Sequence, residues 1–266
     1  MTMAGSKHAS RGLTLNRALT LGTVVVVLTV WTAVSNAQVV PTALLPTPQA
    51  VWGSFVDILN NGYKGSTLLE HLGASMQRLL IAYVLAVVTA VPLGLLSGFN
   101  SHVRAILEPI IEFYRPLPPL AYYTLLVLWM GIQNESKITL LYLAAFAPIY
   151  VSCVAAVPRV KGDYLNAAYT VGASKMQTFF YVVFPSCLPD IFTGMRTAMG
   201  TAYATLVAAE MVAATSGLGW LVLDASNYLR SDIVFLGIII MGITGILLNL
   251  ILQFAESHAV PWKGKD

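Results

Sequence analysis

The sequence predicts an all-α polytopic membrane protein with six transmembrane helices. Of its 266 residues, 57% are hydrophobic and only 10% are charged, whereas water-soluble domains carry about 25% charged residues. Several apolar runs approach the roughly 20 residues that a helix needs to cross a bilayer. The net charge of +3 is too small to indicate a nucleic-acid partner, and membrane lipid is the environment that the composition favours.

Six segments supply the predicted spans. The fifth in chain order, at 187–213, contains Arg196, Tyr203 and Glu210 and is less apolar than the others, but it is long enough to cross the membrane. An ionisable residue at membrane depth tends to face protein or water, which makes this span the place to look for a pathway. The five strongly apolar segments lie at 19–34, 79–99, 117–132, 138–157 and 233–254.

The distribution of basic residues predicts that both termini are cytoplasmic. The opposite side holds only Lys64, Lys137 and Arg230, with Arg78 at the start of a helix. Basic residues concentrate on the cytoplasmic side of membrane proteins, and six spans satisfy this rule. Cleavage of the first segment as a signal peptide is the alternative, because Ser35-Asn36-Ala37 follows a short apolar core. The predicted cytoplasmic set is Lys7, Arg11, Arg17, Arg104, Arg115, Arg159, Lys161, Lys175, Lys263 and Lys265.

The chain divides into an N-terminal tail at 1–17, a first span and exterior loop at 18–66, a transmembrane core at 67–255 and a C-terminal tail at 256–266. Within the exterior loop, apolar residues at 49–59 recur at helical spacing and include Trp52. This pattern predicts a short interfacial helix anchored by the indole ring.

The connection between the second and third spans is rich in proline. Pro116, Pro118 and Pro119 preclude a regular helix, so the third span is expected to begin near them. Glu112 lies three residues before Arg115 and could pair with it on a short helix. A loop whose charges face water is an equally good interpretation.

The sequence lacks the residue patterns of a catalytic or metal-binding protein. Its four histidines are scattered without metal-ligand spacing, and it contains no Gly-rich phosphate-binding loop. We therefore expect no catalytic residue, no metal site and no cofactor bound by this chain. Cys153 and Cys187 are expected to be small packing residues rather than a disulfide.

The segment 165–189 interrupts two apolar runs on the predicted cytoplasmic side. Residues 163–174 can form a short amphipathic helix with Leu165, Ala168, Tyr169 and Gly172 along one side. Leu165 and Tyr169 could fill a pocket on a partner, whereas Gly172 allows a turn or a close approach. Periodicity alone favours a membrane-surface helix without a partner.

The fifth span carries the candidates for a translocation pathway. Thr197, Thr201 and Thr205 fall along one stripe of the helix, and Tyr203 and Glu210 share a different face with Arg196. The alternatives are that each threonine bonds to its own helix backbone and that the charged residues form structural ion pairs or reach the membrane surface.

Several motifs resemble those of permease subunits of binding-protein-dependent ABC importers. Ala167-Ala168, Gly172 and Val182-x-Phe184-Pro185 match the spacing of the motif that these subunits carry, with Asn166 in place of its leading glutamate. The further matches are similar to the branch that imports taurine, alkanesulfonates and nitrate, and most to its taurine permeases. They are Leu44-Leu45-Pro46-x-Pro48, His71 with Ser75 and Arg78, residues 114–122, Glu135-Ser136-Lys137-Ile138, and Ala209-Glu210 with Gly217-Leu218-Gly219.

The resemblance implies a type I ABC importer permease fold in a bacterial inner membrane. Its implied partners are a second copy of the permease, two cytoplasmic ATP-binding subunits that hold ATP-Mg, and a periplasmic substrate-binding protein. The substrate would be taurine or a related small sulfonate, with another alkanesulfonate, nitrate or bicarbonate as alternatives. A coupling helix at about 163–176 would contact the ATPase through Asn166, Ala167, Ala168, Tyr169, Gly172 and Ala173.

Two other classes of protein fit the composition less well. A secondary transporter driven by an ion gradient would favour inverted repeats and acidic or histidine relays at mid-membrane, and the sequence shows neither. An intramembrane enzyme would need a converging nucleophile and base or a metal motif, which the spans lack.

Overall fold

The computed structural model describes residues 4–263, and it describes side chains from Leu19 onward, except at position 21. Within this part of the chain, the regular secondary structure consists of helices, without a β-strand. The all-α prediction is confirmed. The helices are α1 (Ala4–Asn36), α2 (Pro48–Asn60), α3 (Leu68–Phe99), α4 (Ser101–Tyr114), α5 (Pro119–Met130), α6 (Asn134–Ala156), α7 (Gly162–Thr170), α8 (Lys175–Thr178), α9 (Phe184–Ala213), α10 (Leu218–Asn227) and α11 (Ser231–Ala259).

Six apolar helical segments correspond to the six predicted spans. Four are long and apolar enough to cross a membrane: Leu68–Phe99, Asn134–Arg159, Lys175–Ala213 and Ser231–Ala259. The two shorter ones are Gly22–Asn36 and Pro119–Met130. The 12 residues of α5 rise only about 18 Å at 1.5 Å per residue, less than the bilayer core.

Helices α3, α6 and α9 form the centre of the bundle and enclose its main hydrophobic core. Glycines permit their close approach: a Cβ at Gly94 of α3 would lie 2.6 Å from Cys153 Cβ of α6. Likewise, a Cβ at Gly194 of α9 would lie 2.5 Å from Ser152 Cβ. Inside lipid, the hydrophobic effect does not drive helices together. Small residues at such crossings allow close van der Waals packing, which stabilises the contact instead.

A second core joins α2, α10 and α11. The Ser54 hydroxyl of α2 donates to Asp232 at 2.6 Å, and the Trp31 ring of α1 stacks on Phe235 at 5.7 Å. Tyr203 links this group to the central bundle, because its hydroxyl donates to the Met241 carbonyl of α11 at 2.9 Å.

Several local predictions are confirmed. Helix α2 covers the predicted interfacial helix, and α5 begins at Pro119 as the prolines require. The connection after the second span is the helix α4, on which Arg115 pairs with Glu112 at 3.2 Å, so the helical interpretation is correct. Both cysteines, Cys153 and Cys187, are buried and free.

The structure corrects the predicted end of one helix and describes part of both predicted tails. Helix α7 ends at Thr170, so it is shorter than the predicted helix at 163–174. Helix α1 begins at Ala4 and thus extends through most of the predicted N-terminal tail. The predicted C-terminal tail is partly packed, because α11 continues to Ala259 and Val260 is buried. Residues 1–3 and 264–266 of the two tails lie outside the described residues.

Candidate functional site

The segment from α7 to α8 reverses the chain at one end of the bundle, where α6 ends. Helix α7 terminates in a Schellman motif: the amide of Gly172 donates to Tyr169 O and the amide of Ala173 donates to Ala168 O, each at 3.0 Å. Gly172 has φ +80°, a conformation that costs other residues about 1–2 kcal/mol. The glycine is therefore required by the turn that ends the helix.

This segment presents apolar surface to its surroundings. Tyr169 is 49% exposed and Val171 is 83% exposed. Val171 borders an open cavity of about 610 Å³, to which Ala167, Ala168 and Ala173 contribute together with Trp262 from the C-terminal segment. Large apolar side chains left uncovered in this way mark a surface that a partner or a membrane covers.

The structure separates two residues that the sequence grouped on one face of α7. Leu165 is partly buried and packs against the main hydrophobic core, whereas Tyr169 is exposed. The expectation that both fill a pocket on a partner is wrong for Leu165. Asn166 is exposed, and its carbonyl accepts the Thr170 hydroxyl at 2.8 Å.

The threonine stripe of α9 is only partly open. Thr197 and Thr201 are exposed, but Thr205 is buried. All three hydroxyls donate to carbonyls of their own helix: Thr197 to Thr193, Thr201 to Ala198 and Thr205 to Thr201. The backbone-bonding alternative therefore holds in this arrangement, and a pathway role for Thr197 and Thr201 stays a prediction.

Glu210 lies in a buried ion-pair cluster at the other end of the bundle from α7. Its carboxylate is 0% exposed and accepts from Arg78 Nη1 at 2.7 Å. The Arg78 guanidinium also donates to the carbonyl of Ser216 at 2.8 Å and to Asn134 Oδ1 at 2.8 Å. Glu210 is thus closed off from solvent here, and structural ion pairing, the alternative to a pathway role, describes its environment.

The same cluster holds the start of α10. Three consecutive backbone amides precede or begin this helix, and each donates to a buried side chain from α3 or α9. A Cβ at Gly217 would lie 2.4 Å from Glu210 Cδ, so this close packing requires glycine. The amides of Gly217, Leu218 and Gly219 donate to His71 Nδ1, Ser75 Oγ and Glu210 Oε2 at 3.2, 2.9 and 2.9 Å respectively.

Sequence reasoning missed this convergence. It assigned no role to His71, Ser75 and Arg78, although their spacing of four and three residues places them on one face of a helix. The signal was the combination of that face with an acidic residue and a Gly-x-Gly turn elsewhere in the chain. For Arg196, an ion-pair partner is present: its Nη1 lies 3.4 Å from Glu256 Oε2 of α11, and Glu256 also pairs with Lys263.

Comparisons with known proteins give one consistent result. The family model described as "Binding-protein-dependent transport system inner membrane component" matches residues 90–263. The taurine transport system permease protein TauC of Escherichia coli (strain K12) is 43% identical over 248 residues, covering 93% of this chain and 90% of that protein.

Two further relatives are more distant. The putative aliphatic sulfonates transport permease protein SsuC of Bacillus subtilis (strain 168) is 29% identical, covering 90% of this chain and 85% of its own length. The nitrate import permease protein NrtB of Leptolyngbya laminosa is 30% identical, covering 89% of this chain and 85% of its own length.

Proposed function

We propose that this chain, which belongs to the family of inner membrane components of binding-protein-dependent transport systems, forms the translocation pathway for taurine or a related small sulfonate. The substrate proposal rests on the 43% identity to the taurine permease, against 30% to the nitrate permease. Import of another alkanesulfonate, nitrate or bicarbonate is the second candidate, because sulfonate and nitrate permeases match over nearly the same length.

The observation that carries the proposed mechanism is the exposed apolar surface of the α7–α8 segment. The family implies an ATP-binding partner and a substrate-binding protein. We assign the contact with the ATP-binding subunit to Asn166, Ala167, Ala168, Tyr169, Gly172 and Ala173. Tyr169 and Val171 supply apolar area, and the glycine turn fixes the angle between α7 and α8.

The proposed assembly contains two copies of this chain, two ATP-binding subunits and one periplasmic binding protein in a bacterial inner membrane, with both permease termini in the cytoplasm. ATP-Mg binds to the partner subunits, and this chain itself carries no cofactor and catalyses no reaction. Closure of the ATP-binding subunits would move α7 and bias the bundle toward the outward-open state. Such a change requires that the partner bind the two states with different affinity.

The proposed pathway runs beside α9. Thr197 and Thr201 offer hydroxyl oxygens on an exposed stripe, and a weakly polar surface suits an anion that must pass without being retained. Tyr203 supports this wall indirectly, since its hydroxyl fixes α9 to α11. Thr205 and Glu210, which are buried, would contribute only if the bundle rearranges during turnover.

Reconstitution tests the function. Proteoliposomes that contain this chain, its ATP-binding subunit and its binding protein are expected to accumulate labelled taurine only under one condition. ATP must be supplied on the side of the membrane that carries the ATP-binding subunit. Collapse of the proton gradient should leave the uptake rate unchanged. Uptake that persists without the ATP-binding subunit and stops on collapse of the gradient would instead show a secondary transporter.

Competition then identifies the substrate. Unlabelled taurine should reduce uptake at lower concentration than longer alkanesulfonates, nitrate or bicarbonate. A deletion strain supplied with taurine as sole sulfur source should fail to grow and should recover with the wild-type gene. Normal growth on taurine combined with failure on nitrate as sole nitrogen source would favour the second candidate.

A further inference from the structure

An apolar groove separate from the α7 surface lies between α3 and the continuous helix Lys175–Ala213, which comprises α8 and α9 and is called the α8–α9 helix below. Its volume is about 520 Å³, and nine of its ten lining residues are apolar, a size within the roughly 300–1,000 Å³ of small-molecule sites. Pro92, Leu96 and Phe99 form one wall, and Phe180 and Phe184 contribute to the other. The one charged residue in its lining is Lys175.

The aromatic wall of this groove has a defined shape. The α8–α9 helix contains a π-helical turn at Phe179–Val183, where one extra residue per turn widens the helix locally. The ring of Phe179 packs edge-on against Phe99 at 5.7 Å and against Phe180 at 5.2 Å. These contacts connect the two walls, and they leave Phe180 56% exposed along the open side.

Lys175 differs from the other cations in the part of the chain whose side chains are described. Lys64, Lys263 and every arginine there form ion pairs. Lys137 donates to two carbonyls, and the ammonium of Lys161 faces the Tyr164 ring. Among residues 19–263, the Lys175 ammonium has no hydrogen-bond, ion-pair or ring partner, and the side chain is exposed at the groove.

The surroundings of the groove decide what can fill it. Both walls belong to helices that have the length and composition of membrane spans, Leu68–Phe99 and Lys175–Ala213. In a bilayer that these helices span, the open side would face hydrocarbon, and Lys175, the first residue of its span, would lie toward the bilayer surface. An apolar groove in hydrocarbon with an unpaired ammonium at the membrane surface complements an acyl chain joined to a negatively charged headgroup.

We propose that this groove binds one anionic phospholipid, with an acyl chain between the wall that contains Phe99 and the wall that contains Phe180 and with the headgroup phosphate at Lys175 Nζ. The aromatic and aliphatic lining would retain the chain through packing, and the ammonium would select for negative charge. The proposal concerns a lipid site on the permease surface and does not depend on which solute is transported.

Native mass spectrometry of the full-length protein, purified together with its partner subunits, tests the site. The complex is released from nanodiscs of phosphatidylcholine mixed with phosphatidylglycerol, and the lipids that stay bound are counted. Lys175→Gln should reduce retained phosphatidylglycerol about fivefold, the contribution of one basic residue near an anionic membrane surface. Retained phosphatidylcholine should not change.

Two further variants make the outcome specific. Lys161→Gln, which removes a neighbouring exposed charge outside the groove, should leave lipid retention at the wild-type level. Leu96→Trp, which fills the groove from α3, should reduce retention of both lipids. Equal phosphatidylglycerol retention by wild type and Lys175→Gln would overturn the proposal. Loss of the ATP-binding subunit from Lys175→Gln with unchanged lipid would also overturn it, because Lys175 would then contact protein.

Discussion

The two ends of the bundle differ in how completely the chain pairs its own polar groups and covers its own apolar side chains. In the Arg78–Glu210 cluster, the ion pair is buried, and three amides at the start of α10 all have side-chain acceptors. In the α7–α8 segment, Tyr169 and Val171 are exposed and a cavity of about 610 Å³ lies open beside Val171. At the cluster end, the polar groups find their partners within a single chain. The α7–α8 end presents an apolar surface that a partner would cover.

This difference separates structural from mechanical roles. A buried, fully hydrogen-bonded charge pair has two well-defined states, formed and broken, and the broken state is costly. An exposed apolar segment costs little to move, because few contacts within the chain hold it. We therefore expect changes in the cluster to affect folding and changes in α7 to affect coupling to the partner.

The largest expected effect is on the cluster. Glu210→Gln leaves the buried Arg78 guanidinium without a counter-charge, which should lower the free energy of unfolding by about 3–5 kcal/mol. Chemical denaturation in detergent measures this change. The matched control is Glu108→Gln, which breaks the exposed i,i+4 pair with Arg104 and should cost only about 0.3–0.5 kcal/mol.

A double-mutant cycle sharpens the same prediction. Arg78→Met combined with Glu210→Gln removes both charges, so the double variant should be more stable than the sum of the single losses predicts. Additive losses would show that the two side chains act independently, which would contradict the ion pair as the organising contact of this end.

The next effect concerns the turn after α7. Gly172→Leu forces a side chain into a φ of +80°, and the strain of about 1–2 kcal/mol should favour a different turn and reduce coupled uptake about tenfold. ATP hydrolysis by the partner should continue. Gly162→Leu is the control, because Gly162 also has open space around an added Cβ but lacks a positive φ. Retained coupling in Gly172→Leu would count against a contact that depends on this turn.

A smaller effect tests the threonine stripe. Thr201→Leu should slow uptake about threefold to tenfold if its hydroxyl contacts the substrate, the value of one lost hydrogen bond. Thr29→Leu removes a hydroxyl that donates to its own helix, at the Val25 carbonyl on the exposed side of α1, whereas the Thr201 hydroxyl also donates to the Ala144 carbonyl of α6. Equal uptake rates for the two variants would indicate that the stripe serves packing.

The smallest effect is a pH dependence at the cluster end. Burial, together with the hydrogen bond to Asp224, raises the pKa of Tyr63 from 10.0 to about 12. The folded state therefore retains the phenol proton more strongly than the unfolded state. This contribution to stability is complete below pH 10 and is lost as the pH rises toward 12. Tyr63→Phe should flatten the decline in unfolding free energy over that interval, and an unchanged slope would exclude Tyr63 as its source.

The sequence predicted the elements better than their contacts. Apolar length located the spans, and proline positions located the start of α5, because both depend on local backbone and solvent constraints. The partners of Glu210 could not be predicted, since Arg78 lies 132 residues away and only the crossing of α3 and α9 joins them. Likewise, helical periodicity put Leu165 beside Tyr169 but could not show that the core lies on the Leu165 side.

Site-specific photocrosslinking tests the proposed division between the two ends most directly. Benzoylphenylalanine in place of Tyr169 is expected to form a covalent product with the separately encoded ATP-binding subunit during turnover. The same photoreactive residue in place of Trp52, which is also exposed but lies on α2 near the cluster end, should form none. If active transporter gives no product from position 169, or gives it equally from position 52, α7 is not the surface through which this permease is driven.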